Sequence, residues 1–303
     1  MSSSFGRILL TRRELLQQTA VIGAVSAVGA GLIRPGDALA DGASVSRILI
    51  EPSPRWVRVK FNNVVVGNTK RALLVHELVP NGWKAPAYFF PRVDVRSDLL
   101  SFSGQDEAVG RAGPATYHHI EASGKRYENA ALTYDEPLPG TETLADHVGF
   151  VWRKADEWLE EDETIYQHPR DPYHRVDALP SSRHIRIELG GEIIADTRRP
   201  VIVYETGLRP RYYIPRVDVR EEFLERTDRH TRCPYKGEAS YWSASIGGRT
   251  YENIVWAYPH TFPGVNSITG LLSFYNENVD AVYVDGVKEV AQRWNGGADA
   301  FYV

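Results

Sequence analysis

The string PRVDVR occurs twice in this chain, at residues 91–96 and again at 215–220, a separation of 124 residues. Other pairs keep that separation. RYEN (126–129) faces TYEN (250–253), Tyr117 faces Tyr241, Tyr134 faces Tyr258, Pro139 and Gly140 face Pro263 and Gly264, and Phe150 faces Phe274. Upstream the separation is 128, pairing NTKRALLVHE (68–77) with DTRRPVIVYE (196–205), so the first copy holds four extra residues near PNGWKAP. Self-similarity of this length means one fold built twice. The copies span 44–166 and 184–290. Between them, 167–183 is rich in Pro and polar residues and has no period, which predicts a linker. Residues 291–303 form a C-terminal tail.

Within each copy, short alternating segments dominate. WVRVKF and HIRIEL put Val57, Val59, Ile185 and Ile187 on one face, with Arg58 and Arg186 on the other, the period of a half-buried strand. Asn62–Asn63 and Gly190–Gly191 follow as turns, and Gly247–Gly248 between SYWSASI and TYENIVWAY signals a hairpin. Aromatic residues make up 11% of the chain against a single Met, which favours pleated surfaces over helical bundles. The expected fold is mainly β: two tandem compact antiparallel β domains, tent-like or barrel-like, with short helices. In each PRVDVR block, Asp94 or Asp218 reads as a helix cap, with Glu221 reaching back in the second copy.

The N-terminus reads as an address. Thr11-Arg12-Arg13-Glu14-Leu15-Leu16 precedes an apolar run from Ala20 to Ile33, and Ala38-Leu39-Ala40 stands before Asp41. This is the pattern of a twin-arginine export signal over 1–40 with an A-x-A-like cleavage site. The apolar run falls short of the roughly 20 residues of a spanning helix. A periplasmic or secreted protein is therefore expected, touching a membrane only through that signal. Residues 41–303 carry a net charge of about −6, leaving no cationic excess to neutralise phosphates, so nucleic acid is not an expected partner.

Because the copies share a scaffold, side chains found only in the second are candidates for function. At the 124 spacing CPYKG (233–237) faces VGRAG (109–113): Cys233 replaces Val109, Pro234 replaces Gly110, Tyr235 replaces Arg111, Lys236 replaces Ala112, and only Gly237 matches, as Gly113. Trp242 replaces His118, and Trp256 replaces Leu132. Cys233 is the only cysteine, so it has no partner within its chain. It is a buried apolar residue, a reactive thiol activated by Lys236, or an intermolecular partner. Lys236 binds an anion or is solvated. Arg216, on a Pro-fixed approach, has the fork geometry to aim at an anionic ligand.

Tyr235, Tyr241, Trp242, Trp256 and Tyr258 are core or the walls of a pocket, with stacking and cation–π faces. Alternation puts Tyr241 and Trp242 on opposite faces, so at most half the cluster meets one cavity. His118 and His119 point apart in a strand, and the chain has no Cys pair and no His-Glu helix motif. No metal site is expected.

YYIPRVDV, TRCPYKGEASYW, ENIVWAYP and LLSFYNENVDAVYVDG resemble the family catalogued as domain of unknown function 427, small β-rich domains of bacteria and fungi. The first copy resembles it too, without the Cys-Pro-Tyr-Lys-Gly and Trp-x-Tyr-Pro turns. The resemblance implies a compact β fold similar to the tent-like β domains of methionine sulfoxide reductases and the cereblon ligand-binding module. Those relatives usually hold a zinc on four cysteines, which this chain lacks. A catalogue name for the family suggests nucleotidyl transfer, but the chain has no Gly-Ser followed by paired carboxylates and no phosphate-cradling Gly loop. The resemblance names no reaction and no cofactor.

Two functional readings follow. In the first, the second copy holds a pocket for a small polar or acidic ligand, oriented by Lys236 and Arg216, with Cys233, Lys236 and Tyr241 available for chemistry and Tyr235, Trp242, Trp256 and Tyr258 as walls. In the second, the tandem is a non-catalytic exported interaction or scaffold module whose aromatic clusters are two cores.

Overall fold

A computed structural model describes residues 47–78, 84–110 and 112–290. The export signal over 1–40, the tail over 291–303 and most of the insertion in the first copy lie outside the described residues.

The first repeat contains β1 (Arg47–Pro52), β2 (Val57–Phe61), β3 (Val64–Thr69), β4 (Leu73–Leu78), β5 (Ala87–Pro91), β6 (Leu100–Gly110), β7 (Gly113–Ala122), β8 (Lys125–Thr133), β9 (His147–Phe150), β10 (Glu157–Glu160) and β11 (Glu163–Ile165). The second contains β12 (Val176–Pro180), β13 (Ile185–Leu189), β14 (Glu192–Thr197), β15 (Val201–Glu205), β16 (Arg211–Ile214), β17 (Leu224–Cys233), β18 (Gly237–Ile246), β19 (Arg249–Thr261), β20 (Leu272–Phe274), β21 (Ala281–Val284) and β22 (Val287–Lys288). Each repeat packs a seven-stranded sheet against a four-stranded one, and the strand orders correspond: β1-β4-β5-β9-β8-β7-β6 with β12-β15-β16-β20-β19-β18-β17, and β3-β2-β10-β11 with β14-β13-β21-β22. The fold is mainly β and antiparallel. All four sheets are open, so neither repeat is a closed barrel.

The three turns that the sequence signals are present, with Ser123–Gly124 as a fourth. Asn62–Asn63, Ser123–Gly124, Gly190–Gly191 and Gly247–Gly248 all have positive φ at both positions, the geometry whose twist matches a two-residue hairpin. The alternating strands β2 and β13 bury Val57, Val59, Ile185 and Ile187 between the sheets. Asn129 and Asn253 sit at φ +50° and +51°, beside bulges in the β7–β8 and β18–β19 pairings. This accounts for the repeated RYEN and TYEN, since Asn tolerates the left-handed region.

PRVDVR forms one short 3-10 turn in each copy and a second follows it directly, and no side chain caps either. The expected capping box is therefore corrected. Asp94 instead accepts from the Thr69 hydroxyl at 2.6 Å and from Arg71, and Asp218 accepts from Thr197 at 2.8 Å and from Arg199. Beside them the backbone of Val95 bridges Gly67 and that of Val219 bridges Ala195. The block is thus a clamp between the two sheets, tying PRVDVR to the Thr-x-Arg of the other repeated string.

One boundary also differs from expectation. Residues 176–180 of the expected linker are β12, paired along its length with β15. Its partner in the first copy is β1, so the strand belongs to the repeat itself. Of the rest, 167–175 lies between the repeats and 181–183 joins β12 to β13.

Gly237 and Gly113 match because the same hairpin end demands both. Gly237 has φ +111°, and a Cβ there would sit 2.8 Å from the carbonyl of His260; Gly113 has φ +128°, with the carbonyl of Glu136 at 3.0 Å. Replacing Gly237 by Ala is expected to cost about 1–3 kcal/mol, read as a lower midpoint in urea unfolding. Gly191→Ala, with open space at its Cβ, is the control that separates φ strain from collision. Equal losses for the two variants would show that the His260 contact contributes nothing.

Candidate functional site

In the second repeat, alternation along the large sheet sorts its side chains to two faces. Ile202, Tyr212, Ile214 and Val255 pack toward the small sheet, while Val203, Tyr213, Trp256 and Tyr258 pack on the outer face with Cys233 and Tyr241. On that outer face lies a cavity of about 460 Å³. Its aromatic walls are Tyr213, Tyr241, Trp256, Tyr258 and Tyr275, and its charged lining comprises Lys236, Arg209, Arg211, Arg229 and Arg232 against Glu205, Glu252 and Glu277.

The aromatic wall is fixed by its own contacts. The Trp256 indole N–H donates to Tyr213 Oη at 3.1 Å, and the Trp256 and Tyr275 rings are 4.6 Å apart. Tyr241 Oη and Thr231 Oγ1 are hydrogen bonded at 2.8 Å. Burial pushes Tyr213 up to about 12, and burial also raises Tyr275, so both phenols stay protonated near neutral pH.

Most charges on the lining are already matched. Arg211 forks onto Glu277 at 2.6 and 2.9 Å, with Arg209 3.6 Å from the same carboxylate. Arg232 pairs with Glu238 at 2.8 Å. The exposed Arg229 differs: its guanidinium lies 4.8 Å over the Tyr241 ring, and no carboxylate among the described residues forms an ion pair with it.

Lys236 is only 5% exposed, because the turn Pro234–Lys236 folds its last side chain inward. Its ammonium pairs with Glu205 Oε2, and His174 Nε2 donates to Glu205 Oε1 at 3.0 Å. Burial, the largest influence on Glu205, would raise its pKa; Lys236 and His174 outweigh burial and hold the carboxyl well below the ordinary range. Neither alternative drawn from sequence, a solvated Lys or one free to seize an anion, describes this pair.

Five of the eight candidates meet at this cavity: Cys233, Lys236, Tyr241, Trp256 and Tyr258. Three do not. Trp242 packs toward the other face of the sheet, as alternation requires, and Arg216 is an exposed residue forked onto Glu221 and 5.3 Å from the Trp242 ring. Tyr235 turns outward from the hairpin end and stacks on His174 at 4.2 Å. Cys233 is 2% exposed, and burial pushes its thiol up, a change that Lys236 opposes without reversing. A protonated, buried thiol is a poor nucleophile, and the ammonium that could activate it pairs with Glu205.

The sequence reading missed Glu205, Arg211, Tyr213, Arg229, Tyr275 and Glu277. The repeat itself carried the signal for most of them. At the same spacings Arg211 faces Ala87, Tyr213 faces Phe89, Arg229 faces Gln105, Tyr275 faces Val151 and Glu277 faces Arg153. Glu205 has a counterpart in Glu77, which pairs with Lys84, while buried Ala112 stands where Lys236 is. In the first repeat this outer face is an apolar cluster of Val75, Phe89, Ala112, Ala115, Tyr134 and Leu144.

Removing one member of a buried pair strands the other, so Lys236→Ala is expected to cost about 3–5 kcal/mol, whereas Lys236→Met with Glu205→Gln recovers most of that loss. Glu205 stabilises the fold fully above its ordinary value of 4.5 and loses that contribution as pH falls toward its folded value of about 2. The gap between wild type and Lys236→Ala should therefore narrow as pH falls through that window. Denaturant midpoints measured across it check both, and a Lys236→Ala protein as stable as wild type at neutral pH would contradict them.

No curated protein matches the chain. The model of a family described as domain of unknown function (DUF427) matches it twice, over residues 49–161 and 177–285, the second match beginning inside β12. With most of its length inside those two matches, the chain belongs to the domain of unknown function 427 family and carries two copies of that domain in tandem.

Proposed function

We propose that this is an exported small-molecule-binding protein whose pocket, in the second repeat, takes a small organic acid with an apolar or aromatic body. The observation that carries this reading is the contrast between the copies. Among the described residues, the same outer sheet face holds an apolar cluster in the first repeat and a charged, aromatic-walled cavity in the second. A volume of about 460 Å³ suits a ligand of metabolite size. Five cationic side chains against three carboxylates on the lining favour an anion.

Arg229 takes over the orienting role that the sequence suggested for Lys236 and Arg216. Its guanidinium is at the cavity and outside the ion pairs of its neighbours, so an incoming acid displaces no protein carboxylate. Tyr241, Trp256 and Tyr275 offer faces for the ligand body. The buried, protonated Cys233 favours binding over nucleophilic chemistry.

Phenyl phosphate and benzoate are expected to raise the unfolding temperature, with stabilisation near 2.7 kcal/mol at a ligand concentration about 100 times Kd; phenethylamine should give none. Arg229→Gln should weaken binding of the acids by roughly tenfold while leaving the unliganded unfolding temperature unchanged, since Arg229 holds no ion pair. Acids that leave the transition unmoved, or an Arg229→Gln protein that binds them equally well, would refute the pocket.

Export rests on the twin-arginine pattern of residues 1–40. Mass spectrometry of the protein recovered outside the cytoplasm is expected to give an N-terminus at Asp41; a chain recovered only from the cytoplasm and still starting at Met1 would refute it.

A further inference from the structure

The ion pair at the pocket is completed from outside the second repeat. Residues 167–174 run over the outer side of the Pro234–Lys236 turn. The Gln167 side-chain amide donates to the Arg232 carbonyl, Arg170 Nε donates to the Pro234 carbonyl at 2.9 Å, and the Asp171 N–H donates to Tyr235 Oη at 3.2 Å. At the end of this run His174 stacks on Tyr235 and donates to Glu205. The same segment is held by the first repeat: Arg170 N–H donates to Glu160 at 3.3 Å, Arg55 donates to the Arg170 carbonyl at 3.2 Å, and Tyr173 Oη donates to Glu51 at 2.6 Å.

Two of the groups that hold Glu205 have different origins. Lys236 reaches it from the hairpin end of its own repeat, and His174 reaches it from the connector. A carboxylate gripped at one oxygen alone can swing, carrying the ammonium paired with it. Held at both oxygens, Glu205 fixes Lys236 at the cavity wall.

We propose that residues 167–174 are part of the second repeat's ligand site. His174 is a positioning residue that locks Glu205, and through it Lys236, and the first repeat acts as the anchor of this strap. This rests on the pocket reading above. It assigns the first copy, whose own outer face carries an apolar cluster, a role in the binding site of the second.

The test uses the whole chain and two substitutions. His174→Gln keeps an N–H donor for Glu205; His174→Phe keeps a ring against Tyr235 and removes the donor. One readout is labelling of Lys236 by trinitrobenzenesulfonate, followed by peptide mass spectrometry, which needs no ligand; the other is the Kd of phenyl phosphate. Loss of one charge-assisted hydrogen bond predicts labelling about tenfold faster and binding about tenfold weaker in His174→Phe, with His174→Gln close to wild type in both.

If His174→Phe labels and binds as wild type does, or if His174→Gln is impaired as much as His174→Phe, the inference is overturned while the pocket stands. If wild type fails to bind phenyl phosphate but the labelling contrast appears, the pocket reading fails and the strap remains.

Discussion

A carboxylate and an ammonium buried against each other carry the second repeat's distinctive chemistry. Taking two charges out of water costs several kcal/mol each, and their attraction offsets this only with good geometry and further hydrogen bonds. Glu205 and Lys236 meet those conditions because His174 supplies the second grip on the carboxylate. The turn Pro234–Lys236 closes inward around the pair, and Gly237 accepts the backbone geometry that closing requires. Burial raises the Cys233 thiol's pKa against the opposing pull of Lys236, and Arg229, outside the ion pairs of its neighbours, is the cation to which the proposed acid is assigned.

Duplication explains how one chain tolerates this. Two repeats with the same strand order share the buried layer between their sheets, the Thr-x-Arg clamp on PRVDVR and the positive-φ turns. These features maintain the fold, so they persist in both. The outer face of the large sheet is free of that duty. In the first copy its described residues include a buried cluster of Val, Ala, Phe, Tyr and Leu; in the second it carries Tyr, Trp and paired charges around open space.

How much of this was legible in the sequence depends on the range of the interactions. Period-two alternation found the strands and put Tyr241 and Trp242 on opposite faces, and paired Asn or Gly residues found the hairpins, because both signals are local. β12 escaped because VDALP has no alternation and owes its conformation to pairing with β15. The Asp94 and Asp218 caps failed for a related reason: Thr69 and Thr197, 25 and 21 residues upstream, compete for the same carboxylates. Of the site, Cys233, Lys236 and Trp256 were found by comparing the copies, and Tyr241 and Tyr258 by their aromatic type. The partnership of Lys236 with Glu205, 31 residues away, was not, and without it the ammonium looked available. Arg216 was drawn in by residue type and Trp242 by its absence from the first copy; the 3-10 turn of Arg216 and the strand position of Trp242 turn them elsewhere.

The central claim is that the outer face of the second repeat, and not its twin, receives a small acid. Fluorine NMR of the protein labelled with fluorotryptophan reads this most directly, because Trp256 lines the cavity while Trp152 and Trp158 stack on each other in the first repeat. Titration with phenyl phosphate should move the Trp256 resonance saturably and leave those of Trp152 and Trp158 in place. A Trp256 signal that stays fixed while the first-repeat signals shift would contradict the account.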